Sequence, residues 1–337
     1  MCVIVYTKIN GKKILAKNRD RTYKPDIEIV HEIVNGIEIA YIRDKITGWI
    51  EGMNENGIGL INSTLSGSDG KMGQKNTKTK KIKNMKQSKK KNVIYNALIN
   101  TNSKKNFYDI IKHAKNNYVL EGHTILFYNG EVFHIENNKK NNFVAEKVDK
   151  TVVFTNYGVK LKHEGYTKCS KGMSSFLRSK IVQTELKDNK IETIDDLVNI
   201  MNRNYKNINP RFQPYRDKRL TLKKNKYIKS NELTVSTTGQ IILNMTDKEL
   251  IYYSDVNNSR EIDYINKLPR EYTPKIRIII EETEKKINPS KKIFTKKYLK
   301  KIEKRFECKT RKHKTTNKTR TKSKDTKHNK TRNNRNK

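Results

Sequence analysis

The second residue of the chain is a cysteine, and its position is typical of a terminal nucleophile. Removal of Met1 would place a thiol and a free α-amine on the same residue, Cys2. An α-amine titrates at about 7.7–8.0 and a free thiol at about 8.5, so the amine can accept the thiol proton near neutral pH. One residue would then supply both the nucleophile and its base. The alternative is that Cys2 is a small apolar residue at the start of a strand.

Charged residues that follow a predicted turn are expected to lie beside Cys2. The run Cys2–Tyr6 is apolar and β-branched, and Asn10-Gly11 is typical of a tight hairpin turn. Antiparallel return brings residues Lys17–Asp20 next to residue 2. Cations at that point lower the pKa of a thiol, and a carboxylate can hydrogen-bond an ammonium group. The spacing therefore predicts a charged cluster around the nucleophile.

The elements that must position this cluster are mainly short strands. Asn35-Gly36 and Asn129-Gly130 predict two further hairpins, and Thr238-Gly239 separates the predicted strands Leu233–Thr237 and Ile241–Met245. Helices are predicted at Asn92–Asn100, Phe107–Asn117, Ser174–Leu186 and Ile194–Asn204, the last with Thr193 as its N-cap. Strands in runs with helices in pairs between them favour an α+β fold, in which helices cover antiparallel sheets.

Several short motifs resemble, in order, those of the N-terminal-nucleophile cysteine hydrolases. The resemblance is closest to the choloylglycine hydrolases, penicillin V acylases, acid-ceramidase-like amidases and the acyl-coenzyme A:6-aminopenicillanate acyltransferase (C45 peptidase) group. It covers about residues 2–255 and implies a four-layer αββα sandwich with antiparallel sheets. The motifs are Met-Cys at the start, Asn18-Arg19-Asp20, Gly52–Leu60, Gly122–Glu136, Thr155-Asn156-Tyr157 and Ser174–Arg178.

The resemblance implies a role for each matching residue. Cys2 would be nucleophile and proton acceptor, Asp20 would orient its amine, Asn156 would donate a side-chain N–H to the oxyanion, and Arg178 would fix the group electrostatically. A second oxyanion donor is expected from the backbone near Asn62-Ser63-Thr64. The supporting residues are Lys17, Asn18, Arg19 and Asn62, and the apolar walls of a substrate pocket are expected from Tyr23, Trp49 and Tyr157.

Two departures from the family pattern affect these expectations. Lys17 stands where the family usually has arginine, which keeps the charge but loses the planar fork, and Arg19 is a partial substitute. The related Asn-Arg-Asp-Glu family has Glu where this chain has Arg21. The Lys-rich segment 71–91 replaces a region that often lines the acyl pocket, so the resemblance does not give the substrate.

The positive charge of the chain is concentrated in two segments. The formal net charge is +39, of which residues 285–337 carry +20 and residues 71–91 carry +10. We predict a catalytic domain over 2–284 with a solvated loop at 71–91, a basic amphipathic helix within 285–307, and a disordered tail at 308–337 that lacks aliphatic and aromatic side chains. Both segments predict nonspecific contact with nucleic acid or an anionic surface. The alternative is a tail that only increases solubility.

Several protein classes are excluded by composition. No apolar run reaches the ~18–20 residues of a membrane span, and no secretory signal is evident, so an intracellular, cytoplasmic setting is expected. Three scattered cysteines are too few for a disulfide scaffold. No phosphate-binding loop is present. No metal or cofactor is expected, because five of the seven histidines lack ligand spacing with one another; these five are His31, His113, His123, His134 and His163.

These observations lead to one hypothesis and two alternatives. The first is an amidohydrolase that cleaves linear, non-peptide C–N bonds of a small acyl-amide through a Cys2 thioester. An acyltransferase would use the same acyl-enzyme and is not separable from a hydrolase by sequence. The other alternative is a basic nucleic-acid-associated protein built on a degenerate hydrolase scaffold.

Overall fold

A computed structural model describes most of the predicted domain. The described residues are 2–21, 23–65, 92–100, 121–138, 143–161, 171–203, 205, 208–209, 212–216, 235–254, 262–282 and 294–306. The predicted helix Phe107–Asn117, the Lys-rich segment 71–91 and the tail 308–337 lie outside these residues.

Two large sheets form the centre of the molecule. The six-stranded sheet has the order β10-β1-β2-β11-β12-β14, and the eight-stranded sheet has the order β13-β3-β4-β5-β6-β7-β8-β9. In chain order the strands are β1 Val3–Ile9, β2 Lys12–Arg21, β3 Ile27–Val34, β4 Ile37–Asp44, β5 Trp49–Asn54, β6 Ile58–Ser63, β7 Gly122–Tyr128, β8 Glu131–Asn137, β9 Phe143–Lys147, β10 Val152–Phe154, β11 Ser236–Asn244, β12 Glu249–Ser254, β13 Ile262–Lys267 and β14 Arg277–Glu282.

The predicted Asn-Gly hairpins are confirmed. Asn10, Asn35 and Asn129 each have a positive φ between 46° and 53°, and the glycine after each has a φ between 75° and 80°. Two consecutive left-handed residues are what a type I′ turn requires, and its twist matches that of the flanking strands. Each of these turns therefore sets the register of its hairpin locally.

Four helices are described, and the first three pack on the outer faces of the sheets. They are α1 Val93–Asn100, α2 Lys171–Asp188, α3 Ile194–Asn202 and α4 Lys296–Arg305. Thr193 caps α3 through a capping box with Asp196, as predicted. The side chain of Asn92 accepts hydrogen bonds from the backbone of Ile94 and Tyr95 and so begins α1.

The buried apolar side chains define four layers. Ile4 and Leu15 of one sheet and Met53 and Ile125 of the other belong to a core between the sheets. α1 packs on the far face of the eight-stranded sheet, and α2 and α3 lie on the far face of the six-stranded sheet. The predicted α+β sandwich of αββα type is confirmed. Helix α4 falls within the predicted basic segment and packs on α2.

The structure differs from the strand prediction in three respects. Thr238-Gly239 is not a turn but a bulge inside β11, where the two residues lie between the Thr237–Asp20 and Gln240–Asn18 pairs. The sheets are not wholly antiparallel, because the added strands β13 and β14 pair in parallel with β3 and β12. The strands β5, β9, β13 and β14 were not predicted.

Among the described residues, no helix is long and apolar enough to cross a bilayer.

Candidate active site

The alternation of β2 divides the charged residues of the Lys17–Arg21 segment between two faces. Val3 lies opposite Asn18, and Ile4 lies opposite Lys17, so the start of β1 meets the end of β2 as predicted. Successive side chains of a strand point to opposite faces. Lys17 and Arg19 therefore enter the space between the sheets, whereas Asn18 and Asp20 face the helices. The two pairs of side chains therefore have different partners.

On the helix side, a continuous chain of hydrogen bonds joins Cys2 to Asp20. The backbone nitrogen of Cys2 donates to Oδ1 of Asn156 at 3.0 Å. The same oxygen accepts from Nη2 of Arg178 at 3.1 Å, and Nη1 of Arg178 donates to Oδ2 of Asp20 at 3.0 Å. All four residues are buried. The structure thus brings together Cys2, Asn156, Arg178 and Asp20, which the sequence placed in one site.

Asp20 is held by further groups from distant parts of the chain. Thr237 donates its hydroxyl to Oδ1 of Asp20 at 2.8 Å, and Nε of Arg216 lies 3.7 Å from Oδ2. Arg216 also donates to the hydroxyl of Ser174 at 2.6 Å. Two arginines and one hydroxyl therefore surround a single buried carboxylate. Burial of a carboxylate is costly unless charged and hydrogen-bonding partners surround it.

Between the sheets, Glu51 of β5 balances the cations of β2. Lys17 forms a wholly buried ion pair with Oε1 of Glu51, and Nε of Arg19 lies 3.5 Å from Oε2. Burial lowers the pKa of Lys17, and Glu51 opposes that shift. Burial raises the pKa of Glu51, but Lys17 and Arg19 outweigh it and hold that pKa below its usual range. The cluster keeps positive charge beside the thiol without leaving it unpaired.

The thiol of Cys2 is poised as a thiolate. Burial raises its pKa, but the positive charges of Lys17, of the amino terminus and of Arg21 outweigh burial and lower the pKa to about 6. Nη1 of Arg21 donates to Sγ at 3.4 Å. Because this pKa lies below 7, the anion is favoured at neutral pH. The thiolate is also the reactive form of cysteine. The surroundings of Cys2 therefore favour the reactive form of its thiol.

The side-chain amide of Asn156 has a fixed orientation. Its Nδ2 donates to the backbone oxygen of Thr64 at 2.7 Å and to Oγ of Ser63 at 3.2 Å. Its Oδ1 faces Cys2 and Arg178, so a flipped amide would place donor against donor. The side-chain N–H expected for the oxyanion donates within the protein here, and the amide oxygen accepts from the backbone nitrogen of Cys2.

The segment Asn62–Thr64 also forms hydrogen bonds within the site. The backbone N–H of Asn62, in the expected source of a second oxyanion donor, donates to Oε1 of Glu51 at 3.3 Å. The side chain of Asn62 donates to Oγ1 of Thr124 at 2.9 Å. Ser63 donates to the carbonyl oxygen of Thr155 at 3.0 Å and lies 3.5 Å from that of Cys2. These contacts tie β6 to the strand ends that carry Cys2 and Asn156.

The three predicted pocket residues occupy different surroundings. Tyr23 donates to Oδ2 of Asp44 at 2.6 Å, close to Arg21. The ring of Trp49 lies 5.0 Å from Nζ of Lys17 and 5.6 Å from the guanidinium of Arg21. Tyr157 belongs to a separate apolar cluster and hydrogen-bonds Ser179. Tyr23 and Trp49 therefore lie around Arg21, the arginine that contacts the thiol of Cys2, whereas Tyr157 packs beside α2.

Asn18 lies on the helix side and holds secondary structure together. Its Nδ2 donates to the carbonyl oxygens of Met201 and Pro214 at 3.0 and 3.1 Å. Its Oδ1 accepts from Gln240. Asn18 supports the site by fixing β2 against α3 and β11.

A buried histidine pair lies behind Asn156. His123, His134 and Glu136 are the described side chains that come close enough to share a metal ion, which their spacing did not indicate. Nδ1 of His123 is 2.9 Å from Nε2 of His134, and the ring centres are 5.2 Å apart, so the two nitrogens point at each other. That geometry suits an N–H···N hydrogen bond rather than two lone pairs converging on an ion. Glu136 accepts hydrogen bonds from the backbone of Val159–Leu161.

Comparison with known structures gives similarities over most of the chain. A mutant of conjugated bile acid hydrolase from Clostridium perfringens is 11% identical with a TM-score of 0.46, and the match covers 84% of this chain and 100% of that one. Penicillin V acylase from Agrobacterium tumefaciens is 13% identical with a TM-score of 0.39, and the match covers 86% and 98%. Penicillin V acylases are among the proteins whose motifs the sequence resembles. No family model and no curated protein matches the sequence.

Four residues of the site were not predicted from the sequence. Glu51 and Arg216 pair with Lys17 and Asp20, Thr237 holds Asp20, and Arg21 contacts the sulfur. Arg21 was visible as the residue directly after the Asn18-Arg19-Asp20 motif. Glu51 carried a weaker signal, since it is a charged residue inside an otherwise apolar strand. Arg216 and Thr237 had no sequence signal, because only the fold brings them to β2.

Proposed function

We propose that the protein is an amidohydrolase that cleaves linear, non-peptide C–N bonds through a thioester on Cys2. The observation that supports it best is the pairing of a thiol whose pKa is lowered to about 6 with a backbone nitrogen fixed by Asn156. Once Met1 is removed, that nitrogen is the α-amine of Cys2. Nucleophile and proton carrier then lie on one residue, held by the Asn156–Arg178–Asp20 chain.

The acylation step uses only groups of this site. The sulfur of Cys2 attacks the amide carbonyl carbon, the C–S bond forms, and the electron pair of the C=O bond moves to oxygen. The α-amine holds the proton that the thiol gave up. When the tetrahedral intermediate collapses, the C–N bond breaks and the departing amine takes that proton. The products of the step are a thioester on Cys2 and a free amine.

The second step decides between hydrolase and transferase. Water attacks the thioester carbonyl, the α-amine accepts a proton from it, and the carboxylic acid leaves the regenerated thiol. An acceptor amine or thiol that enters in place of water would give acyl transfer with the same residues. The described residues of the site do not distinguish these acceptors, so the acyltransferase stays the alternative within the same chemistry.

The decisive experiment is intact-mass analysis of the full chain. We expect protein without Met1 that gains one acyl group on incubation with a panel of fatty-acyl, bile-acid-like and phenoxyacetyl amides. Cys2→Ala should lose the adduct, and the matched control Cys169→Ser should keep it. Protein that retains Met1, or wild-type protein that gains no acyl group with any member of the panel, would contradict the proposal.

A second candidate function is contact with nucleic acid, and helix α4 favours it. One side of α4 packs through Ile302 on α2, while its six basic residues are exposed. They are Lys296, Lys297, Lys300, Lys301, Lys304 and Arg305. A helix that presents a row of cations to solvent is suited to a polyanion. We propose that α4 and the basic segments outside the described residues make nonspecific phosphate contacts.

Salt dependence tests this second function. Removing one cation that neutralises a phosphate reduces the slope of log K against log salt by about 0.9 for duplex DNA. We expect Lys297→Gln with Lys301→Gln to reduce the slope by about twice that amount while the acylation of Cys2 stays unchanged. A wild-type protein that is not retained by DNA at low salt would remove this candidate, and vesicles of anionic lipid in parallel would show whether a membrane surface is preferred.

A further inference from the structure

Arg21 contacts the sulfur of Cys2, and part of its side chain is exposed to solvent. Its side chain is 11% exposed, against 0% for Lys17 and 1% for Arg19. Nη1 lies 3.4 Å from Sγ of Cys2 and donates to the carbonyl oxygen of Asp20 at 2.9 Å. Of these three cations, Arg21 is therefore the one nearest to solvent.

The guanidinium of Arg21 is held in place from two further sides. Oδ2 of Asp44 lies 3.9 Å from Nε, and Tyr23 donates to the same oxygen. The guanidinium carbon lies 5.6 Å from the ring centre of Trp49, which is within the range of a cation–π contact. A donor that is fixed before the reaction needs no reorganisation when charge develops next to it.

The oxyanion of the proposed reaction takes a donor in addition to any from the side chain of Asn156. Nδ2 of that residue is used by Thr64 and Ser63, and its oxygen faces Cys2 and Arg178. The oxyanion forms on the carbon that is bonded to sulfur. A guanidinium already in contact with the sulfur is close enough to donate to that oxygen.

We propose that Arg21 is a catalytic residue that donates an N–H of its guanidinium to the oxyanion formed when Cys2 attacks the substrate carbonyl. The inference rests on the proposed acyl-enzyme chemistry and adds a group to it. As the C–S bond forms, the C=O electron pair moves to oxygen next to the positive guanidinium. As the C–N bond breaks, that pair returns and the contact weakens. Arginine suits this role because its planar fork directs several donors while it stays charged.

Two reactions of the same sulfur separate this role from simple activation of the thiol. Alkylation by iodoacetamide displaces iodide at a saturated carbon and passes through no oxyanion. Acylation by an activated aryl ester or thioester passes through a tetrahedral oxyanion. A residue that only lowers the pKa of the thiol affects both reactions equally, whereas an oxyanion donor affects acylation more. Both rates are measured above pH 8.5, where the sulfur of every variant is largely ionised.

The experiment compares Arg21→Gln and Arg21→Lys with wild-type protein. For Arg21→Gln we expect acylation of Cys2 to slow by about 10²–10³-fold, as for the loss of one oxyanion donor. Alkylation at the same pH should slow by less than about tenfold. Arg21→Lys should keep the alkylation profile and recover only part of the acylation rate, because it keeps a point charge without the fork. The control Arg43→Gln, whose arginine pairs with Glu28 away from Cys2, should change neither rate.

The outcomes distinguish failure of this inference from failure of the proposed function. Equal losses of acylation and alkylation in Arg21→Gln would overturn the oxyanion role and leave the acyl-enzyme intact. A wild-type protein that is alkylated at Cys2 but never acylated would overturn the proposed function itself. Circular dichroism of each variant at the assay pH shows whether the fold is retained, and the Arg21→Lys variant gives the same comparison if Arg21→Gln does not fold.

Discussion

Lys17 and Glu51 form an ion pair in which neither side chain is exposed to solvent, and the pair joins the two sheets next to the nucleophile. Lys17 lies on β2 of one sheet, and Glu51 lies on β5 of the other. Removing two charges from water is costly, and a fixed pair with further hydrogen bonds offsets that cost. Glu51 opposes the lowering of the Lys17 pKa by burial, and the charge of Lys17 lowers the pKa of the Cys2 thiol more than any other positive group.

The pH dependence of Cys2 reactivity follows from its lowered pKa. We expect alkylation by iodoacetamide in a Cys169→Ser, Cys308→Ser background to be half-maximal near pH 6 and to level off above pH 7. An ordinary thiol is half-ionised at about pH 8.5. The measurement is the rate of mass gain as a function of pH. A half-maximum above pH 8 would show that the surrounding cations do not control the sulfur.

Glu51→Gln should raise the pKa of the thiol through its effect on Lys17. Burial already lowers the pKa of Lys17, and Glu51 is the main group that raises it. Without Glu51 the pKa of Lys17 falls further, so the charge that favours the thiolate is weakened. We expect the alkylation profile to move upward by about one pH unit or more. Lys17→Met should shift it in the same direction, and the surface control Glu131→Gln should leave it unchanged.

Asp20→Asn should destabilise the fold as well as the site. The substitution keeps the shape of the side chain but removes the negative charge that faces Arg178 and Arg216. Leaving buried charges without their partner typically costs about 3–5 kcal/mol. Urea unfolding followed by circular dichroism measures the loss. Asp149→Asn, at an exposed position, is the control, and an equal effect in both variants would contradict a special role for the Asp20 network.

The buried pair His123–His134 should make the protein less stable in acid. Burial lowers the pKa of both histidines, and the charge of His123 also disfavours protonation of His134. The unfolded chain then binds more protons than the folded one below the ordinary histidine pKa of about 6.5, so the free energy of unfolding falls as the pH drops below that value.

The variant His134→Gln tests this pH dependence. Between about pH 6.5 and pH 5, the variant should show a smaller slope of unfolding free energy against pH. The reason is that its unfolding takes up fewer protons, by a fraction of one proton or more. The readout is urea unfolding at several pH values. An unchanged slope, with the fold retained, would show that the pair is protonated in the folded state. The carbonyl oxygen of Tyr157 lies 2.8 Å from Nε2 of His123. The chemical shift of that carbonyl carbon therefore reports on the same contact.

Gly52→Ala and Gly59→Ala should differ sharply in their effects. A Cβ at Gly52 would overlap the backbone oxygen of Ala40 and the Cβ of Tyr41, which belong to the neighbouring strand. A Cβ at Gly59 would meet only the side chain of Met245, which is flexible. We expect Gly52→Ala to lower the melting temperature by several degrees more than Gly59→Ala. Similar melting temperatures would mean that β4 and β5 can separate without cost.

The sequence by itself determined the local parts of this architecture. Three Asn-Gly pairs have the left-handed conformations that two-residue hairpins demand, and Thr193 with Asp196 begins α3. The first hairpin placed the end of β2 beside Cys2, because the turn residues fix the register of the two strands. Order and spacing of the short motifs were sufficient to bring Asn156 and Arg178 into the same site.

Only the tertiary structure decided how the charges of that site are balanced. Glu51 reaches Lys17 from the other sheet, Arg216 and Thr237 reach Asp20 across about two hundred residues of chain, and a bulge replaces the turn predicted at Thr238-Gly239. The orientation of the Asn156 amide also depends on Thr64 and Arg178 together. Turns follow from the backbone preferences of adjacent residues, whereas a buried charge finds its partner only when separate strands are packed against each other.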